Sequence, residues 1–189
     1  MLFKNIPLKR RSIFAGIFIL TAYLMLTAQA TTSKPAVFIT DVLSGLSVIG
    51  IALLLFPVFK SYNKLLSSSY LYLKIAEGII MIIGGIIFFV PSLQSIRNSF
   101  YDGIHLYVFI LSGFILYHLL FKSKAVPPFI AIWGTTGILA LAITTGLKLI
   151  GINYNSLDYF FLIIITNEIF LAIWLMIKGL NVPNETHSN

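Results

Sequence analysis

Lys74 and Glu77 stand one helical turn apart inside an apolar run, Ser69 to Val90, that is long enough to cross a membrane. At the centre of a span each such charge costs up to about 3 kcal/mol, while a large apolar residue contributes about 0.4 kcal/mol; the run holds thirteen of the latter. As an isolated helix it roughly breaks even, so its charges need partners. Glu168, with Asn167 beside it, lies near the middle of the last apolar run, at a depth that matches Glu77. Two carboxylates facing one ammonium leave an uncompensated negative charge, which a shared proton or a ligand's amine would balance. Such a triad of Glu77, Glu168 and Lys74 could couple proton movement to a substrate or hold a small hydrophobic or cationic molecule. Two plainer arrangements compete with it. Lys74 could snorkel to the interface, leaving Glu77 protonated or paired with it, or the polar groups could serve helix association, with Asn167 as hydrogen-bonding glue.

Asp41, Asp102 and His105 form a second group, at the outer ends of the second and fourth apolar runs. Asp102 and His105 are spaced i, i+3, so on a helix that reaches back far enough they would share a face. With Asp41 they would offer a divalent metal two carboxylates and an imidazole, as a metal-dependent membrane hydrolase requires. The plainer alternative has Asp102 capping the fourth helix and His105 at the membrane interface. His118, a turn from the other end of the same run, also reads as interfacial.

Other chemistry is excluded. The chain has no cysteine, which rules out disulfides, thiol catalysis and thiolate-held zinc or iron–sulfur clusters. His105 and His118 are about 20 Å apart along one helix, so they cannot clasp a haem between two helices. No HExxH, GxSxG, Walker-type or dinucleotide-binding motif is present, and no cofactor is expected. The abundant Phe, Tyr and Trp suit lipid-facing and interfacial positions.

These residues must be positioned by membrane helices. Of the 189 residues 58% are hydrophobic and 10% charged, and the mean hydropathy is +0.96, too apolar for a soluble domain. The expected fold is all-α, a single membrane domain over residues 1–189. Its six spans fall at about 12–30, 38–59, 69–90, 104–121, 129–150 and 159–177, and residues 179–189 form a polar tail. The first run, with its basic lead-in and the triplet Ala28-Gln29-Ala30, also reads as a cleavable signal peptide, whose removal would leave five spans. Small residues at Ser44, Gly45 and Ser47, at Gly84 and Gly85, and at Gly137, Ala140 and Thr144 mark faces for close helix contact. The segments show no clear inverted repeat.

The formal charge of +7 is not a nucleic-acid signal, because the basic residues cluster at the ends of apolar runs. With the N-terminus cytoplasmic, nine of them fall on that side (Lys4, Lys9, Arg10, Arg11, Lys60, Lys64, Lys122, Lys124 and Lys178). Three fall on the other (Lys34, Arg97 and Lys148), so both termini are expected inside. The partner this implies is the lipid bilayer; the sequence sets no oligomeric state.

Asp41-Val42-Leu43-Ser44, the stretch PVFKSYNKLL at 57–66, Lys74-Ile75-Ala76-Glu77 and His105 carry a family resemblance. It continues through GFILYHLLFKSKAVP at 113–127, Glu168, and Trp174 to Gly179. Through these the chain resembles the bacterial membrane proteins grouped as domain of unknown function 4386. The resemblance implies a multi-helix inner-membrane protein with an uncleaved first helix, and implies no activity. Lys74 stands where that family's Arg-x-x-Glu pattern has arginine, exchanging a bidentate guanidinium for a point charge. Three readings remain: a binder or mover of a small molecule or proton built on Glu77, Glu168, Lys74 and Asn167, a metal-dependent hydrolase, and a structural or regulatory membrane subunit.

Overall fold

A computed structural model describes residues 6–27, 33–93, 96–97, 100–152 and 154–181. The described residues are almost wholly helical and include no strand. The α-helices whose bounds are described are, in order, α1 (Leu8–Ala22), α2 (Leu24–Thr27), α3 (Lys34–Tyr62), α4 (Lys64–Phe89), α5 (Leu106–Ser123), α6 (Pro128–Leu149) and α7 (Phe161–Ile177). The α1–α2 unit, α3, α4, α6 and the helix ending in α5 are each long and apolar enough to cross a membrane; α7 is an apolar helix of 17 residues.

Local sequence explains the boundaries. Asn63 is the only residue between α3 and α4, and its side chain accepts the Leu66 N–H at 3.0 Å, so α4 starts five residues ahead of the expected span. α6 begins on Pro128, which needs no N–H partner at a first helical position. α3 runs through Pro57 rather than ending there. The first span is interrupted at Tyr23, between α1 and α2; Ala28-Gln29-Ala30 lie outside the described residues, as does the tail from 182 onward.

The largest departure from the expected spans precedes α5. Residues Tyr101–His105 form a widened turn in which the Leu106 N–H bonds to the Tyr101 carbonyl five residues back. Such turns rotate side chains off the regular helical register and often occur at functional sites. This one directs Tyr101 and His105 inward, each 8% exposed.

The helices close into a ring. α1 packs on α3, α3 on α4, α4 on α5, α5 on α6, α6 on α7, and α7 returns to α1. The first helix is therefore a structural member of the wall. The outer faces are apolar, with Leu46, Ile132 and Ile143 more than half exposed, as suits helices bathed in lipid. Without a hydrophobic drive between helices, close backbone approach supplies the attraction. A Cβ at Gly45 would lie 2.5 Å from the Gly78 carbonyl oxygen, and one at Gly78 would lie 2.5 Å from that of Gly45. Gly137 meets the Ile164 backbone in the same manner, at 2.9 Å, where α6 crosses α7.

One end of the ring is tied together by backbone groups. The Leu180 N–H donates to Ser12 Oγ at 3.0 Å and the Asn181 N–H to the Ala125 carbonyl at 2.8 Å. The start of α1, the α5–α6 turn and the end of α7 therefore share one end of the bundle.

Candidate functional site

Within the ring lies a cavity of about 710 Å³. Its walls are mainly apolar, and Lys74, Glu77, Glu168, His105, Tyr70 and Arg97 all reach it. The two mid-helix glutamates, from α4 and α7, therefore face one space.

Glu77 is 1% exposed and fully engaged. Lys74 Nζ lies 3.1 Å from its Oε1 and 3.0 Å from its Oε2, Ser112 Oγ donates to Oε2 at 3.0 Å, and His105 Nε2 stands 3.9 Å from Oε1. Lys74 is 5% exposed and sits over the Phe109 ring at 5.0 Å, so it does not snorkel out. An ammonium one turn before a carboxylate on the same helix can satisfy it without help, and aromatic contact offsets part of its desolvation.

Glu168 differs. It is half-buried and lines the cavity, and Tyr23 donates to its Oε2 at 2.7 Å. That bond joins the break between α1 and α2 to the middle of α7. Asn167, although adjacent, serves another contact: its Nδ2 donates to the Ile130 carbonyl of α6 at 2.9 Å. Residues 167 and 168 diverge by about 100° around the helix, and of the two it is Glu168 that lines the cavity.

At the far end of the cavity Arg97 and Asp41 form a second buried pair. Arg97 Nε donates to Asp41 Oδ2 at 3.0 Å, and its Nη2 reaches both oxygens at 2.8 Å. Arg97 lies over the Tyr101 ring at 4.6 Å, Tyr101 faces His105 at 5.2 Å, and His105 stacks on Phe109 at 6.5 Å. A continuous column thus runs from Arg97 through Tyr101, His105 and Phe109 to Lys74, joining the two ion pairs along one wall.

This arrangement revises the expectations for Asp41 and His105. His105 is buried beside Glu77, carried inward by the widened turn. Asp41 has both oxygens occupied by a guanidinium. Among the described residues no three His, Asp or Glu side chains gather as metal ligands, and the Asp102 side chain lies outside the description. α5 has His105 at its N-cap position, with no side-chain cap.

Three contributors were not singled out from sequence. Tyr23 and Ser112 lie within apolar runs, and each donates to a mid-helix glutamate. Arg97 was placed in a polar connection, although it falls on the same side of the bundle as Asp41; the opposite charges were the available signal.

The profile of the family described as Domain of unknown function (DUF4386) matches residues 20–179. The chain belongs to this family. The matched stretch includes Tyr23, Asp41, Lys74, Glu77, Arg97, His105, Ser112 and Glu168, so the DUF4386 region contains both buried ion pairs and the whole wall column. No curated protein and no solved structure matches the chain.

Proposed function

We propose that this DUF4386 protein is a membrane-embedded receptor or carrier for a small, largely apolar molecule bearing one positive charge, taken up in the ring cavity with Glu168 as its counter-ion. The observation that carries this reading is the charge balance around the cavity. Lys74 pairs with Glu77 and Arg97 with Asp41, while among the described residues Glu168 has no ion-pair contact: Tyr23 donates a neutral hydroxyl to it, and the Lys74 ammonium, already engaged by Glu77, acts on it at longer range. An unpaired carboxylate in a low-dielectric interior is costly, and a bound cation or a proton relieves that cost. The mainly apolar wall favours a cation that carries its own hydrophobic surface.

The basic residues support insertion with both termini on the cytoplasmic side. Lys9, Arg10, Arg11, Lys122, Lys124 and Lys178 flank the segments that Ser12–Leu180 and Ala125–Asn181 bring to one end. A cell-membrane location follows from the same reading.

The test is charge preference. Purified protein in lipid nanodiscs is titrated with n-hexylamine at neutral pH, where it is a cation, and with 1-hexanol, its uncharged counterpart. The amine is expected to raise the melting temperature in a saturable way, and the alcohol is expected to act at least tenfold more weakly. Equal responses would reject a counter-ion role for Glu168, and proton release on amine binding would identify the proton as the cation displaced.

A further inference from the structure

Resting on that reading, we infer that the ligand is a primary aliphatic amine, its ammonium at Glu168 and its chain laid along the leucine-walled half of the cavity toward Leu180. The cavity is long. On α4 alone its lining runs from Tyr70 to Phe88, eighteen residues or about 27 Å of helix. The polar groups divide it unequally. The Arg97 end carries His105, Tyr101 and the buried ion pair, whereas beyond Glu168 the wall is built from Leu55, Leu116, Leu120, Leu171, Leu175 and Leu180. Leu180 follows α7, and its backbone is tied to Ser12, which holds this residue across that end of the ring.

A second observation points to a polar head within reach of this half. Tyr70 is wholly buried and lines the cavity, yet its hydroxyl has no hydrogen-bond partner among the described residues. This phenol feels the charges of Glu77 and Glu168, and an ammonium, with three donors and no acceptor, would offer it a donor when held between them. A metal ion fits poorly, since it would require several oxygen ligands and the Glu77 and Asp41 carboxylates are already occupied. From Glu168 to Leu175 is seven residues, about 10 Å along α7, which an extended chain of about eight carbons spans.

The experiment is a chain-length series. Straight-chain amines from four to twelve carbons are titrated against the protein in nanodiscs, with partition into lipid measured on protein-free discs and subtracted. Affinity for free amine should rise about fourfold per methylene and level off near eight to ten carbons. Leu175→Phe, which fills the end of the slot, should bring the plateau two or more carbons earlier. Amines that bind with no dependence on chain length, or with a plateau that Leu175→Phe leaves in place while the variant still binds butylamine, would overturn the tail assignment and leave the counter-ion reading intact. Absence of amine binding at every length would overturn both. Should Leu175→Phe not fold, the wild-type series decides alone.

Discussion

The hydroxyl of Tyr23 donates to Glu168 at 2.7 Å, joining the α1–α2 unit to α7 across the seam where the ring closes. A hydrogen bond to a charged acceptor contributes about 1.5–3 kcal/mol, so Tyr23→Phe should lower stability by about that amount. Thermal unfolding in detergent, combined with Glu168→Gln in a double-mutant cycle, measures it. Additive effects of the two substitutions would show that the bond does not matter to folding.

Asp41 and Arg97 form a buried bidentate pair, and removing one partner leaves the other as an unpaired charge. Arg97→Ala and Asp41→Ala should each destabilise the protein by about 3–5 kcal/mol, and the double substitution should cost less than the two together. Arg97→Lys should recover only part, because a single ammonium cannot reproduce the two-nitrogen fork of Nε and Nη2 or its planar contact with Tyr101. Full recovery by lysine, in the same unfolding assay, would count against the bidentate geometry.

Lys74 pairs with Glu77 through both oxygens, as arginine would. Lys74→Arg should therefore stay within about 1 kcal/mol of the parent, whereas Lys74→Ala should lose about 3 kcal/mol or more by stranding Glu77. Equal tolerance of both would mean that Glu77 is stabilised by Ser112 and His105 alone. Expression yield and unfolding temperature of the two variants separate these outcomes.

The contact between α3 and α4 rests on Gly45 and Gly78, each against the other's carbonyl. Gly45→Ala or Gly78→Ala must push the backbones apart and should cost about 1–3 kcal/mol. Gly146→Ala, where a Cβ meets nothing within 4 Å, is the matched control and should be neutral or slightly stabilising. A control that falls as far as the two contact variants would show the loss to be general to helix glycines.

The membrane character of the chain was legible because apolar run length is a local signal: among the described residues five helices are long and apolar enough to span. The small residues at Gly45 and Gly137 were legible as contact points for the same reason, since helix pairing in lipid depends on them. Glu77, Lys74 and Glu168 stood out as charges in apolar surroundings, and all three reach one cavity. Asn167 was read both as part of that group and as hydrogen-bonding glue between helices; it donates to the Ile130 carbonyl of α6, which is the second of these. What sequence did not disclose came from irregular backbone and long-range closure. The widened turn at Tyr101–His105 has no periodicity signature, so the contact of His105 with Glu77 was not legible. The pairing of Tyr23 with Glu168 spans 145 positions and exists only because the ring closes.

The central claim is that Glu168 is the counter-ion for a cation held in the cavity. Its most direct test is the affinity of octylamine for the parent protein and for Glu168→Gln, measured by calorimetric titration in nanodiscs at neutral pH after both have been shown to unfold cooperatively. The predicted result is one saturable site in the parent and a loss of at least tenfold in Glu168→Gln. Equal affinity in the two proteins would contradict it.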